Sequence, residues 1–368
     1  MLINRLRSAI STVILLTGCQ TVMPPTFQEQ ASDYSKTMEQ YHIDSIFTNV
    51  IRAHNSSPLS FYTIDNVIGS ANTASGLSLS NDFAIQDKAL DLWGITRLGS
   101  SSFSPSQTYS TGFSFTQTGL QNATFIKQLI KPIPLEETRY LFSQNVGPEI
   151  LSHLLLQSLI IRGENEESVI FHNDPRSDEY AEFTNLLQDL LARGLSVHQS
   201  GKTSDTSTSG TPSSIAPARF CLRKPSLPNS PYKFSASAYC DASHISEFGN
   251  SSLTIILRST KQVFEYVGNV VSAQLRNNPT YVILDASADQ YSDYKGDKGN
   301  HLMVVNKNPE LLFKKDAFAY CEDPKSDQYI IPSDNFGHSK TVISLLSELF
   351  TFSLVPDAIA TSPAIVIQ

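Results

Sequence analysis

The chain predicts an α+β fold: mixed, mostly antiparallel sheets packed with a few amphipathic helices, in two domains. Three observations carry that expectation. Beyond residue 217, short apolar runs follow one another with few helical stretches between them, unlike the regular strand–helix alternation of a doubly wound sheet. Several other stretches repeat their apolar residues at the spacing of one helix face. Finally, 368 residues exceed one ordinary domain of ~100–200 residues, and the low-complexity run 199–216, "QSGKTSDTSTSGTPSSIA", cannot bury a core. That run is expected to be a linker or a surface insertion between an N-terminal α+β domain (36–198) and a C-terminal one (217–368).

The chain opens with Arg5 and Arg7, the apolar stretch Ala9–Leu16, the small residues Thr17 and Gly18, and then Cys19. This is the layout of a secretory signal peptide over residues 1–18. Eight residues of helix span only ~12 Å, against a hydrocarbon core of ~30 Å, so a permanent transmembrane helix is not expected there. No other stretch approaches the ~20 apolar residues that a spanning helix needs. Residues 19–35 are polar with Pro24 and Pro25, and read as an anchor point followed by a flexible tether.

In the N-terminal domain, Ile43, Ile46, Phe47, Val50 and Ile51 mark a helix that stops near "HNSSP" at Pro58. "LSFYTIDNVIG" (59–69) reads as a strand and "SANTASGLSLSND" as a loop or polar edge. In "QTYSTGFSFTQTG", Tyr109, Phe113 and Phe115 alternate with Ser and Thr, the period of a half-buried strand. "PEILSHLLLQSLII" (148–161) is apolar on nearly all sides and reads as a central buried helix opened by Pro148. "SVIFHN" is a short strand. A helix then carries Tyr180, Phe183, Leu186, Leu187, Leu190 and Leu191 on one face and stops at Gly194.

In the C-terminal domain, "ARFCLRK" and "SLTIILRS" read as strands, followed by a helix bearing Val263, Phe264, Val267, Val270 and Val271. "TYVILDA", "HLMVVN", "AFAYC" and "QYIIPS" read as strands. The last helix carries Val342, Leu345, Leu346, Leu349 and Phe350.

The net charge is −8, and removing Arg5 and Arg7 with the signal takes it to −10. An acidic chain repels phosphate backbones, so no nucleic-acid partner is expected. It also gains no electrostatic attraction to an anionic membrane surface, so any membrane attachment must come from apolar insertion or a lipid.

Leu16-Thr17-Gly18-Cys19 resembles the lipobox of bacterial lipoproteins. The resemblance implies lipidation of the Cys19 thiol, cleavage between Gly18 and Cys19, and acylation of the new amino terminus. Gln20, where Asp would signal retention, resembles the pattern of an outer-membrane destination. In the second half, "LRSTKQVFEYVGNVV" and "YIIPSDNFGHSKTVISLLSELFTF" resemble a group of bacterial envelope lipoproteins that pair an "RS" strand end with a tyrosine-bearing helix and later place "SK" before an amphipathic helix. The run 199–216 and "PNSPYKFSASAYCDASH" depart from that pattern. The resemblance implies no catalytic residue.

No stretch names a reaction. Cys221, Cys240 and Cys321 would face an oxidising periplasm, and Cys221–Cys240 is the leading disulfide candidate, with the absence of any disulfide and a Cys240–Cys321 pairing as the alternatives. His42, His54, His153, His172, His198, His244, His301 and His338 are scattered with no metal-ligand spacing. Asp289, Asp293 and Asp297 are four apart with lysines between, unlike a calcium loop. "DNFGHSKT" sets Gly337, His338 and Ser339 near Asp334, but Thr341 stands where a nucleophile turn needs glycine; Ser339 is expected to cap the helix that follows. Neither a metal nor a cofactor is expected. The expected role is a lipid-anchored, non-enzymatic scaffold or binding component that meets the outer membrane through its N-terminal lipid and other envelope proteins through its fold. The alternatives are a periplasmic hydrolase-like enzyme and a subunit of an oligomeric outer-membrane pore, the latter suggested by the alternation in "YSTGFSFTQTG".

Overall fold

Helices and small antiparallel sheets share the residues described by the computed structural model, which are 27–80, 102–120, 122–144, 146–163, 167–199, 218–225, 227, 230–284, 300–309, 317–333 and 337–354. The α+β class is as the sequence predicts. The signal segment, the Gly18–Cys19 junction, nearly all of 199–216, Asp289, Asp293, Asp297 and Asp334 lie outside the described residues.

The helices are α1 (Phe27–His54), α2 (Ala123–Ile130), α3 (Leu135–Ser143), α4 (Pro148–Leu155), α5 (Tyr180–Ala192), α6 (Thr260–Gln274) and α7 (Ser339–Leu354). The strands are β1 (Tyr62–Ser80), β2 (Ser102–Gly119), β3 (Leu156–Arg162), β4 (Ser168–His172), β5 (Ser196–Gln199), β6 (Ala218–Cys221), β7 (Ser252–Leu257), β8 (Asn306–Lys307), β9 (Ala317–Glu322) and β10 (Gln328–Pro332). β1 pairs with β2; the other sheets run β4–β3–β7, β8–β10–β9 and β5–β6, each antiparallel.

Contacts group the chain into two units. One holds the first turns of α1, up to Met38, with β1 and β2; the other holds Glu39–Phe61 and the chain from Gly119 onward. This division does not follow the sequence boundary at 199–216. β5 and β6 stand on either side of that run and pair with each other, Ser196 opposite Cys221. β3 pairs with β7 across it, Leu159 opposite Ile255.

In the larger unit, one core gathers Phe47 and Val50 of α1, Phe125 of α2, Leu154 of α4, Val267 of α6 and Leu346 of α7. Phe61 lies within 5.1–5.7 Å, centroid to centroid, of Phe350, Phe264 and Phe125. A second core packs the α5 face, Phe183, Leu186, Leu187 and Leu190, with Leu159 of β3 and with Phe234 and Tyr239. α5 ends as its sequence demands, with Gly194 at φ +73°, a conformation that glycine adopts freely.

Two expectations are corrected and one is narrowed. α1 begins at Phe27, so helix occupies much of the segment expected to be tether; Gln, Glu, Lys and Met there are good helix formers, and the Thr37 hydroxyl donates to the Asp33 carbonyl at 2.8 Å. Of the two readings offered after Gly69, a loop or a polar edge, the stretch takes the extended one and continues as strand to Ser80. The run 148–161 is not one helix: α4 stops at Leu155 and β3 starts at Leu156. A uniformly apolar run satisfies a buried helix and a buried strand alike, so its periodicity could not separate them.

"TYVILDA" and most of "HLMVVN" likewise form no ladder. They meet through the bridge between Ile283 and His301, with backbone hydrogen bonds from Leu284 to Asn300 and from Leu302 to Val282. Leu302, Met303, Val304 and Val305 are nonetheless buried. Side chains replace the missing strand partners. Ser339 Oγ accepts from the Val304 N–H at 2.9 Å, Gln274 Oε1 accepts from the Val305 N–H at 3.2 Å, and Gln274 Nε2 donates to the Met303 carbonyl.

α6 meets α1 at Gly268, where an added Cβ would lie 2.7 Å from Ala53 Cβ and 2.7 Å from the His54 backbone nitrogen. Gly268→Ala is therefore expected to destabilise the protein by about 1–3 kcal/mol, the range for overpacking a tight contact, although alanine favours helix over glycine. Urea unfolding of the two proteins checks this.

Candidate functional site

α4 runs into β3 without a loop. A helix end leaves its last carbonyls without helical partners, and here they are buried. Two side chains from elsewhere supply the donors. Arg258, just past β7, donates from one guanidinium nitrogen to the carbonyls of His153 (2.9 Å) and Leu154 (3.0 Å), and from the other to the carbonyl of Asn173 (2.6 Å). Asn173, just past β4, donates through Nδ2 to the carbonyls of His153 (2.9 Å) and Leu156 (2.8 Å). A cation at a helix C-terminus also opposes the partial negative charge of the aligned peptides. The Arg258 guanidinium lies 3.9 Å from the centre of the Tyr266 ring, close enough for a cation–π contact.

The local sequence explains the placement. Ser259 caps α6: its hydroxyl accepts from the Gln262 N–H, and the Gln262 side chain accepts from the Ser259 N–H. This capping box fixes the turn from β7 into α6. The "RS" strand end therefore has a physical meaning: the arginine caps one helix and the serine starts another.

Burial sets the electrostatics. Burial pulls the Arg258 pKa down to about 10, against smaller upward effects of Tyr266, Tyr180 and Asp174; the group stays charged at neutral pH. Burial, helped by the Arg258 charge, pulls His153 down to about 3 and keeps it neutral. Its Nδ1 lies 3.3 Å from the Tyr180 hydroxyl. Burial pushes Tyr266 up to about 12 and Tyr180 higher still, so both phenols stay protonated. Burial works to raise the Asp174 carboxyl, but hydrogen bonds from the Arg176 side chain and backbone outweigh it and hold the group below the usual carboxylate range.

A polar cavity of about 250 Å³ opens beside this cluster, lined by Gln157, Asp174, Arg258, Gln262, Glu265 and Tyr266 among others. Its charged groups are already committed. Arg258 spends its donors on backbone carbonyls, and Asp174 is engaged by Arg176 at 2.9 Å. The arrangement holds backbone in place.

The other residues singled out in the sequence stand apart from it. Cys221 and Cys240 are joined in a disulfide, and Cys321 is a buried free thiol in the main core, pushed up chiefly by burial. Ser339 is 3% exposed, and its hydroxyl accepts from Val304 of a distant segment. It therefore ties the 302–305 segment to the start of α7, the helix it was expected to cap. The histidines stay dispersed: His42 contacts Ser347 at 2.6 Å, His54 contacts Ser272 at 2.7 Å, and His301 stacks on Tyr281 at 4.5 Å. Among the described residues no group of three His, Cys, Asp or Glu side chains could hold a metal ion.

Sequence reasoning did not single out Arg258, Asn173 or His153 as one cluster. The one signal was the "RS" pair, because the partners are carbonyls and carry no sequence signature. No family model matches the chain, and comparison with curated proteins and with solved structures gives no match.

Two outcomes follow from these contacts. Ser339→Ala is expected to cost about 1–3 kcal/mol, because the buried Val304 N–H loses its acceptor; chemical denaturation measures it. His153 makes the stability depend on pH. Its folded pKa of about 3 lies below the ordinary unfolded value of ~6.5, so between those values the unfolded chain binds a proton that the folded chain does not. Stability is expected to fall by about 1.4 kcal/mol per pH unit from this group as pH drops below ~6. His153→Gln should flatten that part of the profile, read by urea unfolding between pH 7 and pH 5.

Proposed function

We propose that this chain is a bacterial envelope lipoprotein, held to the outer membrane through lipid on Cys19, and that it acts there as a non-enzymatic binding component. The observation that carries this reading is the order at the N-terminus: Arg5 and Arg7, the apolar stretch Ala9–Leu16, then Thr17-Gly18-Cys19. The apolar stretch holds the thiol at the membrane surface, and the small residues before it suit entry into a peptidase groove. Several acyl chains, each contributing ~0.8 kcal/mol per buried CH₂, anchor stably where a single chain would not.

Further features support the reading. The Cys221–Cys240 disulfide suits an oxidising compartment. No described helix is long and apolar enough to cross a membrane, and a net charge of −10 after signal removal gives no attraction to anionic lipid; a covalent lipid meets both conditions. The hydrolase alternative loses its best nucleophile, because the Ser339 hydroxyl is buried and accepts from the Val304 N–H, whereas a nucleophile needs exposure and a base within reach. Burial holds His153, Tyr180 and Tyr266 beside Arg258 in single protonation states, which suits a rigid scaffold better than proton transfer near neutral pH.

Cys19→Ser is expected to abolish incorporation of labelled palmitate and to move the protein from the membrane fraction to the soluble fraction, or to leave it as the uncleaved precursor. Unchanged labelling and processing would overturn the reading.

A further inference from the structure

β1 and β2 pair with each other over 19 and 18 residues. Strands of globular proteins have ~5–6 residues, and a two-stranded ribbon by itself is marginally stable in water. These two also differ in composition from the rest of the chain. They contain a single charged residue, Asp65, where the chain's 17% share would give about six. In β2 every even-numbered position from Ser102 to Thr118 is Ser, Thr or Gly, while Phe103, Tyr109, Phe113 and Phe115 all fall on odd positions. β1 shows no such division: Val67, Leu77 and Leu79 share one parity, but Ile64, Ile68 and Ala74 stand on the other. Successive strand residues alternate between faces, so in β2 the two parities differ in polarity.

Exposed strand edges in soluble proteins are normally blunted by lysine, proline or inward charges. Between Asp65 and the end of β1, and between Pro105 and the end of β2, none occurs. That leaves fifteen uncharged residues in Asn66–Ser80 and fourteen in Ser106–Gly119. A membrane-crossing β-strand needs ~9–11 residues.

We infer that the β1–β2 pair is this chain's contribution to a membrane-inserted β-barrel closed by further copies of the same chain. The inference rests on the lipid-anchor reading for the membrane it enters. The partner is a second copy for three reasons. Among the described residues β1 and β2 pair only with each other and are nearly equal in length, so the β1 edge of one copy can meet the β2 edge of the next with little overhang. The chain is strongly acidic, so copies repel elsewhere, and these strands are where like chains approach with almost no like charge between them. A shared lipid anchor gives every copy one orientation on one surface and raises their effective concentration. Single-chain barrels start at eight strands, which corresponds to four copies or more here. By composition, the Ser, Thr and Gly parity of β2 suits the water-filled lumen of such a barrel, and the aromatic parity suits lipid.

The test uses the full lipidated chain, extracted from membranes in a mild non-ionic detergent and sized by light scattering. The wild type is expected to have the mass of at least four copies and to give stepwise conductance in planar bilayers. Leu77→Lys combined with Phe113→Lys, which puts a charge into each of the two uncharged runs, is expected to give monomers without conductance, while the palmitate label and the Cys221–Cys240 disulfide are retained. Ser110→Lys, on the lumen parity, is expected to keep the multimer and shift its ion selectivity towards anions; this variant keeps the proposal falsifiable if the double variant misfolds. A monomeric wild type, a multimer without conductance, a multimer that needs a second protein, or an unchanged selectivity in Ser110→Lys would each overturn the barrel. A conducting multimer that carries no palmitate would instead overturn the anchor reading and leave the barrel standing.

Discussion

The larger unit is organised around a helix that turns into a strand with nothing between them. α4 gives way to β3 at Leu156, and the orphan carbonyls of that junction are buried where water cannot serve them. Arg258 and Asn173 serve them instead. An unmade hydrogen bond in such a place costs about 1–3 kcal/mol, so the junction requires both side chains. Because Asn173 follows β4 and Arg258 follows β7, meeting that requirement also fixes the two strands flanking β3. The next residue, Ser259, starts α6, whose face enters the main core. One guanidinium thereby joins the β4–β3–β7 sheet, the α4 end and the α6 start.

A similar logic holds the segment before β8. Met303, Val304 and Val305 are buried without strand partners, and Ser339 and Gln274 supply their hydrogen bonds from the first turn of α7 and the last turn of α6. Gly337, with φ +67°, brings the chain against the His301 carbonyl, where a Cβ would lie 2.4 Å away. The same carbonyl accepts from the His338 N–H at 2.9 Å. Polar side chains at helix ends thus stand in for sheet, and the protein keeps a continuous core with little regular ladder in that region.

These contacts explain why the polar clusters serve architecture better than chemistry. A buried arginine that spends its donors on carbonyls is not available to a substrate, and a histidine held near a pKa of 3 exchanges no proton near neutrality. The functional proposals therefore rest elsewhere, on the order of residues at the N-terminus and on the long, almost uncharged pair β1–β2.

The sequence by itself determined what local periodicity and composition can determine. The α5 face from Phe183 to Leu190, α6, α7, β4, β9 and β10 stand where apolar spacing and short apolar runs placed them, because each element's own residues carry its pattern. The N-terminal order of Arg5, Arg7, the apolar stretch Ala9–Leu16 and Cys19 is likewise a property of sequence alone. Tertiary structure decided the rest. Whether 148–161 was helix or strand turned on Arg258 and Asn173, more than 80 and about 20 residues away from His153 respectively, since a run apolar on all sides satisfies either form. Whether "HLMVVN" paired turned on Gln274 and Ser339, whose side chains satisfied its backbone before a strand could. The joining of both halves into shared cores across 199–216 turned on β3 meeting β7 and β5 meeting β6. Strand pairing depends on which edges come together in space, and no local pattern encodes that partner.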